Sequence, residues 1–323
     1  MSGEETRYLS GPLTEAMLAP LGPECRWVVR HGRLTDGDAA RLAAVMCRRP
    51  DVHLEVASDM PRHEPVTNLD FLRFFPWLTR LSVSSYYLEN ISGLTGLANL
   101  RMLDLHRGGA ASSVSVAPLA TAASSLQHLS LEGPATKLGV LSELTGLKTL
   151  TLRSVRLPDL SVLVPIAGLR SLDLKLGGTR DLSALPNFTH LQYFQAWLVR
   201  GLSDISPLAD VPSLEEIFLE ALRNVTELPS LERLTKLRDH AHEDERPHRP
   251  HPAAHRTRTG SDHPHPSPAT ARSHRTARRP SDSEDSQYQP RQRPERRDRR
   301  SGAGAAARLN EQPVRELEAR DVR

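Results

Sequence analysis

LTRLSV (78–83), LRMLDL (100–105), LQHLSL (126–131), LKTLTL (147–152), LRSLDL (169–174), LQYFQA (191–196) and LEEIFL (214–219) repeat one pattern, L-x-x-L-x-L, with first leucines 21 to 26 residues apart. A period near 22 specifies a solenoid, in which each unit packs only on its neighbours and no unit is stable alone. The last two leucines of each pattern lie two apart on a short strand, so both point to one face. Stacking the units makes that face a continuous leucine core. The residues between them point outward, onto the concave side of the stack.

The second half of the unit also recurs, as ENISGL (89–94), PDLSVL (158–163), RDLSAL (180–185), SDISPL (203–208) and TELPSL (226–231). A short polar or acidic residue returns in phase at Asn90, Asp159, Asp181, Asp204 and Glu227. Such residues are expected to accept backbone N–H bonds in a tight turn. Pro165, Pro186, Pro207, Pro212 and Pro229 predict short 3-10 or irregular segments rather than long helices on the convex side.

With both halves in view, GLSDISPLADVPSLEEIFLE (201–220) resembles the short, 22-residue leucine-rich repeat of the internalin type. The resemblance spans residues 66–238. It implies a curved parallel sheet and a protein-binding concave face. In one respect the chain departs from that family. The asparagine expected three residues after the last strand leucine is replaced by Tyr86, Gly108, Pro134, Val155, Gly177, Val199 and Leu222, so no asparagine ladder regularises the coil. The third unit is also longer, and RGGAASSVSVAPLATAASS (107–125) reads as a bulge or mobile loop.

Upstream, CRWVVRHGRLTDGDAARLAAVMCRRPDVHLEVASDM (25–60) reads as strand, helix, strand, with Thr35 as N-cap and Asp38 three residues on. Leu42, Val45 and Met46 share a helical face. Residues 24–65 are expected to be a βαβ cap over the first open end of the solenoid, and residues 1–23 a flexible N-terminus. Phe71, Phe74, Phe75 and Trp77 are expected to pack the core. The fold class is therefore an α/β repeat, a leucine-rich-repeat solenoid with an N-terminal cap.

The body, residues 1–238, holds 24 Lys and Arg against 25 Asp and Glu; residues 239–323 hold 18 Arg against 14 acids. The basic isoelectric point thus belongs to the tail, not to the fold, and nucleic-acid binding is expected only there. Cys25 and Cys47 are too few for a disulfide framework and are expected to be reduced and at least partly buried. The first residues lack the apolar core of a secretory signal, and no run is long enough to span a membrane. A cytoplasmic monomer without cofactor or metal is the expectation.

From Asp239 the chain has no Ile, Phe, Trp, Met, Cys or Lys, and its first Leu is Leu309. Such a segment cannot bury a core. It reads either as a disordered Arg-rich arm for nucleic acid or another polyanion, or as translation out of frame. Metal binding through HAH at His240 and HPH at His263 lacks fixed geometry or partner cysteines. The out-of-frame reading has a particular basis. Shifted by one nucleotide, the codons of DHAHEDERPHRPHPAA (239–254) permit ITLMKMNGLTDLTPL, which aligns without a gap on IFLEALRNVTELPSL (217–231).

No phosphate-cradling glycine loop, H-E-x-x-H, G-x-S-x-G or paired-cysteine pattern occurs. His106 and His128 fall on adjacent units near Asp104 and Glu132, but polar side chains are the ordinary state of a concave face. The outward positions of the last two units differ from the rest. Tyr193 and Trp197 share a strand face, and Phe218 lies level with Gln195 on the next strand. With Arg153, Asp173, Lys175, Glu216 and Glu220 around them, they form the candidate partner-binding patch, for an unknown protein. A competing expectation is that Trp197 turns inward to fill the volume left by Ala196, which stands at a leucine site.

Overall fold

The structure, a computed structural model, describes residues 5–58 and 63–238. The strands are β1 (Glu5–Ser10), β2 (Cys25–His31), β3 (His53–Ala57), β4 (Arg80–Ser84), β5 (Met102–His106), β6 (Val114–Ser115), β7 (His128–Glu132), β8 (Ala135–Thr136), β9 (Thr149–Arg153), β10 (Ser171–Lys175), β11 (Tyr193–Trp197) and β12 (Glu216–Glu220). All but β6 and β8 form one parallel sheet in chain order. Each of the seven L-x-x-L-x-L segments supplies one of its strands.

From β3 onward the strands pair without slippage, so equivalent residues of successive coils face each other. Leu54, Leu81, Leu103, Leu129, Leu150, Leu172, Phe194 and Ile217 form one unbroken row. A second row, from Val56 through Leu152 and Leu174 to Ala196 and Leu219, runs beside it. Both rows are almost fully buried until they reach Ile217 and Leu219, which are only half-buried. The convex side is built of single 3-10 turns, such as Ser92–Gly96, Ser161–Leu163 and Ser206–Asp210. Four of the five in-phase polar residues act as expected. Asn90, Asp159, Asp181 and Asp204 each accept a hydrogen bond from the backbone N–H two residues on, at 2.7–2.8 Å. Glu227 does not join this set, whereas Asn68 does, accepting from the Asp70 N–H.

Two devices stand in place of the asparagine ladder that this chain lacks. At two of the seven ladder positions an apolar side chain fills the inside of the coil, with Val155 and Val199 buried. At the ends of β7, β9, β10, β11 and β12 the chain turns through a left-handed residue: Gly133, Ser154, Leu176, Leu198 and Ala221 have φ between 51° and 96°. Four of the five are not glycine, at a cost of about 1 kcal/mol each. The turn is retained because it aims the N–H at the next coil. Ser154 donates to the Lys175 carbonyl, Leu176 to that of Trp197 and Leu198 to that of Glu220, at 2.8–3.0 Å.

The N-terminal region corrects one expectation and extends another. Residues 5–10, expected to be flexible, are the edge strand β1, paired with β2 and burying Leu9. The βαβ reading of residues 24–65 holds for β2, the helix α1 (Asp36–Met46) and β3, with Thr35 Oγ1 accepting from the Asp38 N–H. It begins one strand inside the sheet rather than at its edge. Cys25 is buried as expected; Cys47 is exposed, because it lies past the last buried turn of α1. The expectations for residues 239–323 fall outside the described residues.

The long third unit is not a bare loop. Its excess is tied down by the β6–β8 pair and by Arg107, a guanidinium 1% exposed. Arg107 donates from Nε to the Leu88 carbonyl, from Nη1 to that of Pro134 and from Nη2 to that of Ser112, all at 2.8–2.9 Å. It thereby joins the coil before it, the coil after it and the inserted segment. Burial draws its pKa down from the usual arginine range, and Glu89 opposes the shift. Replacing Arg107 with Ala would leave the Leu88 and Ser112 carbonyls without this donor, each worth about 1–3 kcal/mol, while the Pro134 carbonyl would keep its bond from the Val114 N–H. Arg107→Ala is expected to lower unfolding stability by about 3 kcal/mol or more, measured by urea denaturation, and Arg107→Lys to recover only part of it.

Candidate partner-binding face

The concave face is three parallel stripes, because zero-shift pairing lines up the outward residues as strictly as the inward ones. At the C-terminal end, Ser171, Tyr193 and Glu216 form one stripe; Thr151, Asp173, Gln195 and Phe218 the next; Glu132, Arg153, Lys175, Trp197 and Glu220 the third. All eight residues expected in the patch therefore lie on one face of four adjacent strands. Trp197 faces this surface and not the core. Its inward neighbours explain why: Phe194 and Ala196 are both fully buried, and the large ring in one core row offsets the small methyl in the other.

The aromatic groups are held rather than loose. The Arg153 guanidinium lies 5.8 Å above the Trp197 ring, reaching past Lys175. It also forms an ion pair with Glu132, Nε to Oε1 3.2 Å, and Glu132 Oε2 lies 3.3 Å from His106 Nδ1. Lys175 Nζ is 3.3 Å from Asp173 Oδ2, an oxygen that also accepts from Thr151 Oγ1. Tyr193 donates its hydroxyl to Gln195 Oε1 at 3.2 Å. Burial, then the charges of Asp173 and Glu216, push its phenol above the ordinary tyrosine range, so it remains a neutral donor. Phe218, on the last strand, is 42% exposed.

A second polar constellation lies at the other end of the sheet, in a region that the sequence marks only as a cap. His53 is buried between the stacked Trp27 ring, 3.9 Å away, and Ser82. His53 Nε2 is 2.8 Å from Ser82 Oγ, which donates its one proton to Asp104 Oδ2 at 3.1 Å. The serine hydroxyl must then accept from His53, which places the ring proton on Nε2. Burial, assisted by Arg80, lowers the His53 pKa to about 3. The serine stands between histidine and carboxylate, an order that leaves no base acting on a free nucleophile, and a base so weak removes few protons near neutrality. His106, His128, Asp104 and Glu132 likewise gather no metal set: among the described residues no group of three or more His, Cys, Asp or Glu side chains could hold an ion.

One strand per coil of about 22 residues, parallel and in register, with single 3-10 turns opposite, settles the architecture. The chain is a leucine-rich-repeat solenoid. No protein-family model matches it, and no curated protein matches it. Among solved structures, internalin C2 of Listeria monocytogenes is similar over 64% of this chain and 84% of its own, at 25% identity and a TM-score of 0.49. An internalin, inlF, from the same organism is similar over 66% of each chain, at 18% identity and a TM-score of 0.48. Among the described residues no helix is long and apolar enough to cross a membrane.

The His53 geometry sets a pH dependence for this solenoid. Its folded pKa lies below the unfolded value, so between about 6.5 and about 3 the unfolded chain takes up a proton that the folded chain refuses. Stability attributable to His53 is complete above pH 6.5 and declines as pH falls, at up to about 1.4 kcal/mol per pH unit. His53→Gln is expected to flatten the decline between pH 6.5 and 4 relative to the parent, followed by urea midpoints across that range.

Proposed function

We propose that the protein is a non-enzymatic scaffold that binds another protein on the concave face of its solenoid, through Tyr193, Trp197 and Phe218. The observation that carries this reading is the outward Trp197, stacked under Arg153 and adjoining a Phe218 that is 42% exposed. Elsewhere on the C-terminal half of this face the outward residues are small, polar or charged, so among the described residues the three rings are its apolar groups. Lys175, Asp173, Glu216 and Glu220 supply a polar rim of both signs. Aromatic anchors inside a polar rim are the usual composition of a protein-binding hot spot. The rings are pre-positioned by Arg153 and Gln195, which lowers the entropy lost on binding. The non-enzymatic part of the reading is supported by His53, whose buried, neutral ring suits structure rather than proton transfer.

Affinity capture with the full chain and with Trp197→Ala and Phe218→Ala variants tests this directly. A partner retained by the parent should be lost or bound at least about tenfold more weakly by each variant, since hot-spot truncations cost about 2 kcal/mol or more. Melting temperatures should stay nearly unchanged, because neither ring fills the core. Variants that melt earlier yet retain the partner would show that the rings serve stability and not recognition.

A further inference from the structure

We propose that the edge of β12, which pairs with no further strand among the described residues, is the seat of a further leucine-rich coil of this same array, and that the gene encodes that coil in the reading frame displaced by one nucleotide from residues 239–254. The two ends of the sheet differ in a way that motivates the proposal. At the N-terminal end the core rows are closed by β1, whose Leu9 is 1% exposed, and by Leu13. At the C-terminal end Ile217 and Leu219 are half-buried, although every earlier residue in their rows is close to fully buried. An exposed parallel edge with its leucines uncovered is an aggregation hazard that repeat proteins close with another unit.

The backbone shows that the array has not ended at β12. In every coil from β5 onward the residue before the strand donates its N–H to the equivalent residue one coil back: Lys148 to Gln127, Arg170 to Lys148, Gln192 to Arg170 and Glu215 to Gln192, each at 2.8 Å. Arg238 makes the same bond to the Glu215 carbonyl at 2.9 Å. Leu237 repeats the turn bond of Leu214, and Leu234 is buried. The chain is thus on track to open another strand at the residue after Arg238, and its core residues would follow at the leucine phase. The encoded residues there are Asp239, His240, Ala241 and His242, which carry no leucine pattern.

The displaced frame carries the pattern. In it the middle base of each codon is the third base of the present one, and a middle thymine specifies an apolar residue. Thymine at the third position of the Asp239, Ala241, Asp244, Pro247, Pro250 and Ala253 codons yields Ile, Leu, Met, Leu, Leu and Leu. These reproduce, in order, Ile217, Leu219, Leu222, Val225, Leu228 and Leu231. The register of Arg238 on Glu215 adds a requirement that the alignment alone does not. The first core residue must be the second residue after Arg238, as Ile217 is the second after Glu215. Skipping one nucleotide leaves it one residue early; restoring two nucleotides after the Arg238 codon puts it in place.

The test is the nucleotide sequence of the gene, followed by one variant. Thymine is expected at the third position of all six codons, and any other base there overturns the proposal by placing a polar or small residue in a core row. The chain expressed with two nucleotides restored after the Arg238 codon is then compared with the present full chain by scanning calorimetry. A melting temperature raised by about 5 °C or more is expected from covering Ile217 and Leu219. An equal or lower value overturns the proposal even if the codons conform.

Discussion

The structure depends on one constraint: successive strands pair in parallel with no slip of register. Because of it, each side chain sits on its counterpart one coil away, and every row across the sheet has a single character. A row of leucines becomes core along its whole length. A row of outward residues becomes a stripe of the concave surface. Single substitutions therefore act on rows, and the half-buried Ile217 and Leu219 mark where two rows stop rather than two isolated defects.

Register in a solenoid needs something to hold each coil at the same rise, and this chain does it without asparagines. Left-handed residues at the strand ends, most of them not glycine, send an N–H to the next coil. Asx-type turns on the convex side repeat at Asn90, Asp159, Asp181 and Asp204. Where the coil is longest and neither device suffices, Arg107 supplies three donors from one buried fork. A guanidinium is suited to that place because its planar donors meet three carbonyls that a carboxamide could not reach together.

The same register builds the candidate binding surface from residues that are unremarkable singly. Arg153 extends across β10 to lie over the Trp197 ring, and it is steadied from behind by Glu132. At the opposite end of the sheet the polar groups bond to one another: buried His53 and Ser82 pair, and Ser82 donates to the partly buried Asp104.

By itself the sequence determined the solenoid, its seven repeat strands, the 3-10 turns and the outward parity of Tyr193 and Phe218, because period 22 between coils and period 2 within strands are properties of residue order. It could not decide whether Trp197 obeyed that parity, since Ala196 left a volume that an indole could have entered. Only the neighbouring rows decided it, by placing Phe194 where the volume was needed. Arg107 was illegible for a similar reason. An arginine before two glycines reads as solvated loop, and the carbonyls of Leu88, Ser112 and Pro134 that bury it converge only when three coils are stacked. β1 escaped because ETRYLS is too short and too polar to show an alternation. It becomes a strand because β2 offers it an edge. Periodicity is written in one dimension, whereas volume, convergence and edge pairing exist only between coils, and those were settled by the tertiary structure.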